Sequence, residues 1–164
     1  MDIVMERAVA GDVPEILRVR RAAEDWLAGM GIEQWPRAGV PADVVSVQVG
    51  QGEWLVARND DAVCGAFRLL WSGEPVWPGD GVDAGYVNGL VIDRSHAGGG
   101  LGSRLLAWAG DLAREAGATA LRLYCVEHNH RLRRYYVDQG FRPAGRGRFA
   151  SGGTAVLFEK QLSG

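Results

Sequence analysis

The chain is poor in the residues that build redox and metal chemistry. It holds two cysteines, three histidines and three methionines among 164 residues. Cys64 and Cys125 sit far apart in apolar, strand-like runs with no metal-ligand spacing. They read as small buried residues of a reducing compartment, and no disulfide framework or metal site is expected. No apolar run approaches the roughly 20 residues that span a membrane. The opening "MDIVMERAVAGDV" lacks a basic segment followed by an apolar core. A cytoplasmic protein without membrane contact is therefore expected. Positive charge is not in excess either. Lys and Arg number 18 against 20 Asp and Glu, a net charge of −2, which argues against a broad nucleic-acid footprint but allows a small basic pocket. No repeat, low-complexity tract or interdomain linker interrupts the chain. At roughly 100–200 residues per domain, residues 1–164 are expected to form one domain.

Glycine is plentiful, at 24 residues. Residues 3–9 read as a strand. In "GDVPEIL", Asp12 is expected to cap a helix, with Glu15 completing a capping box and Pro14 in the first turn. The segment "PADVVSVQVGQG" is ambiguous: Val45, Val47 and Val49 alternate like a strand, while Pro41 and Asp43 suit a helix start. Two β-rich runs around Asn59, Asp60 and Asp61 predict a hairpin. "SGEPVWPGDGVDAG" is a loop, and "YVNGLVID" a strand whose internal glycine marks a bulge or a close approach. A helix is expected over residues 100–116 with Leu101, Leu105, Trp108, Leu112 and Ala116 on one side. A strand "ALRLYCV", a helix over residues 129–139 closed by Gly140, and two strands around residues 151–153 follow. This order predicts a mixed sheet with packed helices rather than a βαβ repeat.

The stretch "HAGGGLGSRLLAWA" joins a strand to a helix through Gly98, Gly99, Gly100 and Gly102. Free backbone N–H groups and the positive end of the dipole make a helix start an anion site, and glycines let a phosphate approach it. A phosphate-bearing ligand is expected. No lysine follows these glycines, so a Walker A loop is excluded, and the dinucleotide fingerprint fails at Ser103 or Leu105. A merely connecting turn remains the alternative.

Further along runs "NHRLRRYYVDQGF". With "LVIDRSHAGGGLGSRLL" it resembles the GNAT superfamily of acyl-CoA N-acyltransferases. Leu90, Val91 and Ile92 match the family's strand end, Gly100-Leu101-Gly102 its G-x-G, and Asn129, Tyr136, Gly140 and Phe141 its N…Y-x-x-x-G-F spacing. Ala97 stands where the family carries Arg or Gln, Leu132 where alanine is usual, and Tyr86 and Asn88 where an acid is frequent. Arg94, His96 and Arg104 are the candidate substitutes for the missing charge at position 97.

The resemblance implies an α/β fold: a mostly antiparallel sheet of six to seven strands with one splayed parallel pair and about four flanking helices. It implies transfer of an acetyl group from acetyl-CoA to a primary amine of a small molecule or peptide. Ala97, Gly98, Gly99, Gly100, Leu101, Gly102 and Ser103 would line the pyrophosphate, and Leu90, Val91 and Ile92 would pair with the pantetheine arm. The N–H of Ile92 or its neighbour would polarise the thioester carbonyl, and Asn129 would contact the arm. One of Arg131, Arg133 and Arg134 is a candidate for the 3′-phosphate. Tyr136 is the expected general acid, with a phenol near 10 and a thiol near 8.5 on the pKa scale, and Tyr135 is expected to pack in the core. Asp83, Tyr86, Asn88 and Glu127 are candidate bases. Trp26, Trp35, Trp71 and Trp77, with Glu24, Asp25, Glu33 or Asp83, are candidates for an acceptor pocket. The oligomeric state expected is monomer or homodimer. A non-catalytic acyl-CoA-binding module is the second reading.

Overall fold

The computed structural model describes residues 2–32, 40–73 and 75–163. Its elements in chain order are β1 (Ile3–Arg7), α1 (Val13–Gly29), α2 (Ala42–Gly50), β2 (Trp54–Asn59), β3 (Ala62–Leu70), β4 (Ala84–Ile92), α3 (Leu101–Glu115), β5 (Ala120–Val126), α4 (His130–Asp138), β6 (Arg142–Arg148) and β7 (Thr154–Gln161). The strands form one open seven-stranded sheet in the order β1-β2-β3-β4-β5-β7-β6. β4 and β5 are the parallel pair, joined through Ala84, Gly85 and Tyr86 against Ala120, Leu121 and Arg122. The mixed sheet with four α-helices is the architecture the sequence predicts. The chain groups into two compact units, Met1–Leu69 with Gly89–Leu105, and Leu70–Asn88 with Leu106–Gly164. It passes from the first to the second within β3, returns within β4 and crosses again within α3.

In the first unit, α1 lays Val13, Ile16, Leu17 and Ala23 into a core with Trp54, Val56 and Val91 of the sheet. The ambiguous valine segment is the helix α2. Val45 and Val49, four residues apart, are buried, whereas Val47 is 60% exposed; a strand would have put all three on one face. The hairpin forms as expected, with Asp60 of its turn at φ 55°.

The capping box at α1 does not form. The Asp12 carboxylate makes no cap bond to α1. It turns back to accept the Val9 N–H at 2.8 Å and a two-point contact from Arg58, with both N···O distances 2.6 Å. Glu15 instead pairs with Arg18 at 2.7 Å. A bidentate guanidinium on β2 competes better for the carboxylate than a neutral N–H does. The stripe expected on α3 is also rotated. Leu101, Leu105, Leu106, Ala109 and Ala113 are buried, Trp108 and Leu112 are half-buried, and Ala116 is exposed.

The hydrogen bond from Arg58 holds the Asp12 carboxyl below its ordinary range, against the opposing effect of burial. A lowered pKa in the folded state stabilises the protein above the unfolded value of about 3.9, and that stability is lost as pH falls through the folded value. Asp12→Ala is expected to cost about 3 kcal/mol in urea unfolding at pH 7, the scale for breaking a buried ion pair. Below pH 4 the gap between wild type and variant should narrow.

Candidate active site

The first part of the site follows β4. The Asp93 N–H donates to the Cys64 carbonyl at 2.8 Å and ties the strand end to β3. A 3₁₀ turn, Arg94–His96, comes next, with the Asp93 side chain accepting from the Ser95 N–H. Gly98 and Gly100 then take φ +82° and +80°, and a Cβ at either would meet nothing within 4 Å. These are left-handed positions where glycine is favoured, and the space in front of them is open. The first bond into α3 runs from Arg104 N–H to the Gly100 carbonyl, 3.2 Å. The N–H groups of residues 100–103 therefore have no intrahelical partner and stand at the positive end of the helix dipole. Ala97, Gly98, Gly99 and Gly100 are exposed, Gly102 and Ser103 half-buried, and Leu101 buried. The loop can accept an anion on its backbone without any side chain.

Three cations were candidates to replace the charge missing at Ala97. The Arg94 guanidinium lies over the Trp26 ring, 3.6 Å from its centroid. The His96 ring nitrogens contact Asn59 Nδ2 at 3.2 Å and Ser95 Oγ at 3.0 Å. Arg104 is exposed in the first turn of α3, and among the described residues its side chain makes no hydrogen bond or ion pair. It is the guanidinium left available to the loop.

Within β4, Gly89 takes φ +64°, and its missing Cβ would lie 3.3 Å from Trp54 Cη2 and 3.7 Å from Arg20 Nη1. Burial changes here: Ala84, Gly85, Tyr86 and Val87 are all buried, Asn88, Gly89 and Leu90 are half-buried, and Val91 returns to the core before the half-buried Ile92. The glycine is the irregularity expected from "YVNGLVID".

The second part of the site is α4. Asn129, 2% exposed, caps its start by accepting the Leu132 N–H at 3.2 Å. At the other end, Phe141 N–H reaches the Tyr136 carbonyl and Gly140 N–H the Val137 carbonyl, both at 3.0 Å. That is a Schellman closure with Gly140 as the left-handed residue, at φ +91°. The Tyr136 and Phe141 rings make its hydrophobic contact, 5.9 Å between centroids. Asn129 and Tyr136 are seven residues apart and share a helix face. Tyr136 is buried among Phe141, Phe158 and Tyr135. Tyr135 is half-buried, so the core-packed ring of the two is Tyr136, the reverse of the expectation. Burial, with smaller effects from Cys125 and Tyr135, pushes the Tyr136 phenol well above its usual range. Burial likewise raises the Cys125 thiol, to about 12.

Residues 20–141 match the model of the acetyltransferase (GNAT) family. The chain belongs to the GNAT family. It is 27% identical over 95% of its length to YesJ, an uncharacterized N-acetyltransferase of Bacillus subtilis (strain 168), covering 88% of that protein. A GNAT-family acetyltransferase from Listeria monocytogenes 4b F2365 superposes with a TM-score of 0.80 at 23% identity, over 98% of this chain and 95% of that one. YncA from Salmonella typhimurium, a putative acetyltransferase solved with acetyl-CoA, superposes with a TM-score of 0.73 at 18% identity, over 100% of this chain and 96% of that one.

In this GNAT chain the structure sorts the remaining candidates. Trp77 is no pocket wall. It is 4% exposed, packs edge-on to Tyr86 with centroids 6.1 Å apart, and donates Nε1–H to the Leu123 carbonyl at 3.2 Å. Arg122, 3% exposed, grips Asp80 at 3.0 and 2.8 Å, Glu159 at 2.7 Å and the Tyr86 hydroxyl at 2.9 Å, and lies 4.2 Å from the Trp77 ring centroid. The Tyr86 hydroxyl is thus an acceptor in a structural lock rather than an open base. Asp83 precedes the first paired residue of β4, whereas Glu127 follows the last residue of β5, so these two candidates lie at opposite ends of the parallel pair. Glu127 accepts from Arg146, which lowers its carboxyl below the usual range. Asn88 is half-buried, and Trp71 is 57% exposed. Trp26 stacks under Arg94, Glu24 pairs with Arg20 at 3.1 Å, and Asp25 is exposed. Glu33 and Trp35 lie outside the described residues. Arg133 donates to the Glu127 carbonyl at 2.9 Å, while Arg131 and Arg134 are exposed. Among the described residues no group of three or more His, Cys, Asp or Glu is placed to hold a metal, and no helix is long and apolar enough to cross a membrane.

Sequence reasoning missed Arg122 and Arg20. The signal for both was an arginine at an inward position of an apolar pattern, Arg122 on β5 and Arg20 on α1. For Arg122, burial opposes the charge, but Asp80, Glu159 and Tyr86 more than offset it and raise its pKa. Arg122→Leu is expected to lower the unfolding free energy by about 3–5 kcal/mol in urea, because two carboxylates and a buried hydroxyl lose their partner.

Proposed function

We propose that the chain is an acetyl-CoA-dependent N-acetyltransferase acting on a primary amine, with residues 1–164 working as one domain. The observation that carries this is the loop with two left-handed glycines opening onto the unpaired N–H groups of α3. Gly98, Gly99, Gly100, Leu101, Gly102 and Ser103 take the pyrophosphate on backbone N–H groups beside Ala97. Arg104 supplies the cation that Ala97 lacks. Leu90, Val91 and Ile92 follow the irregular Gly89 and offer main-chain groups to the pantetheine arm, with the Ile92 N–H polarising the acyl carbonyl. Asn129 is assigned a contact with the arm. We assign the protein to the cytoplasm as a monomer or homodimer.

Tyr136 acts as general acid in this reading. Burial keeps the phenol protonated across the working pH range, so it always has a proton to give. The same dry surroundings raise the energy of a bare thiolate beside it, which restores the match between donor and acceptor.

The decisive assay follows free thiol with acetyl-CoA and a panel of primary amines. Amine-dependent release supports the enzyme; saturable CoA binding without release with any amine replaces it with a binding module. Tyr136→Phe is expected to lower kcat by about 10²–10⁴-fold with little change in KM for acetyl-CoA. Gly100→Ala should raise the CoA Kd at least about tenfold while costing only about 1–2 kcal/mol of stability, the penalty of a side chain at a left-handed position. Arg104→Ala should weaken CoA by a smaller, salt-dependent factor.

A further inference from the structure

The 3₁₀ turn that leads into the glycine loop is held to three neighbouring elements. The Asp93 carboxylate accepts from both Nη atoms of Arg18 on α1, each at 3.4 Å, and from the Ser95 N–H at 3.4 Å. Arg18 also donates to the Val63 carbonyl of β3 at 3.2 Å. The next residue, Arg94, lies over the Trp26 ring of α1, 3.6 Å from its centroid. His96 meets Asn59 at the end of β2, with 3.2 Å between side-chain nitrogens. Arg18 and Trp26 are eight residues apart on α1, about 12 Å along the axis at 1.5 Å per residue. Two consecutive residues of the turn are thus braced at points two helical turns apart, which fixes the direction of the turn as well as its place. These contacts lie at the surface. The Arg18 side chain is 46% exposed and Arg94 is exposed, so the ion pair and the stack add little to global stability. What the turn carries is informative. Ala97 leads straight into Gly98, Gly99 and Gly100, and glycine has more backbone freedom to lose than any other residue.

We infer that Trp26 and Arg18 are positioning residues for the acyl donor: α1 holds the 93–96 turn so that the glycine loop presents its N–H groups before the donor arrives. The inference rests on the acetyltransferase reading above and adds two residues that touch neither donor nor acceptor. A ligand that must order a loop loses part of its binding free energy in doing so, and a loop held at both ends is largely ordered beforehand. Here the first turn of α3 holds the far end and the braced turn holds the near end. Arg94 acts on the donor through its stack with Trp26, not through a phosphate. The guanidinium keeps its charge there, but its face is taken up by the ring, and Arg104 remains the cation of the loop. The same bracing explains why two surface contacts matter: each sets the angle at which three flexible residues leave the turn.

The test is calorimetric CoA binding to the full chain, with steady-state kinetics on acetyl-CoA and a primary amine from the panel that releases thiol. Trp26→Leu and Arg94→Ala are each expected to raise the CoA Kd about three- to fivefold, the scale of one exposed cation–π contact. The double variant should lose no more than either single, because both remove the same contact. Trp26→Phe and Arg94→Lys retain the stack and should bind nearly as the wild type does. Arg18→Ala should bring a separate loss of its own. In kinetics the change belongs in KM for acetyl-CoA, with kcat and KM for the amine little moved. The salt dependence of CoA binding should be the same in Trp26→Leu as in the wild type. Wild-type affinity in Trp26→Leu, alongside weak binding and a flatter salt dependence in Arg94→Ala, would overturn the inference and place Arg94 on a phosphate. Additive losses in the double variant overturn it too. So does a shift confined to KM for the amine, which puts Trp26 on the acceptor side. Urea unfolding separates positioning from folding: a lowered midpoint with an unaltered Kd makes the contacts structural only. Each of these outcomes leaves the acetyltransferase reading standing, and the Kd series decides even where no amine releases thiol. A wild-type chain without saturable CoA binding removes both.

Discussion

An anion can reach backbone N–H groups only where no side chain stands in front of them, and the first part of the site is arranged around that constraint. Gly98 and Gly100 turn the chain through left-handed conformations, and the space their absent Cβ atoms would occupy is empty. α3 begins one residue later with its first-turn donors unspent. A site of this kind draws its positive potential from the peptide dipoles, so the loop needs no lysine of its own. On the proposed reading, the absence of Arg or Gln at position 97 becomes intelligible on the same terms: backbone N–H groups would form the cradle, and one exposed guanidinium on the first turn of α3 would be the side-chain contribution.

The second motif has a folding explanation beside the catalytic role proposed for it. Asn129 caps α4, and the spacing from Tyr136 to Gly140 and Phe141 is the spacing of a Schellman closure with its ring contact. The family pattern around Tyr136 is therefore in large part a recipe for a short helix with both ends satisfied. That recipe also fixes where the tyrosine points. Its ring is held by Phe141 and Phe158, and a group so confined can be aimed at one reacting atom with little entropy left to lose.

Element order, the hairpin, both motif helices and the burial of the cysteines were legible in the sequence because each leaves a local mark: periodicity, a turn residue or a cap. The errors lie where a distant partner decides. Asp12 has the neighbours of a helix cap, yet Arg58, 46 residues away, claims it. Trp77 sits in a proline- and glycine-rich loop, which suggested an exposed pocket wall. Arg122 and Tyr86 instead draw it into the core. The α2 segment stayed open between strand and helix because valine spacing of two also contains a spacing of four. None of these is readable within a window of ten residues.

The central claim is that the acyl donor's pyrophosphate sits on the backbone of residues 98–103. Amide resonances in a ¹⁵N-labelled protein titrated with CoA test it directly. The account predicts saturable shifts at Gly98, Gly100, Leu101, Gly102 and Ser103, reproduced at the same amides by inorganic pyrophosphate at higher concentration. Saturable CoA binding that leaves those amides unmoved would contradict it.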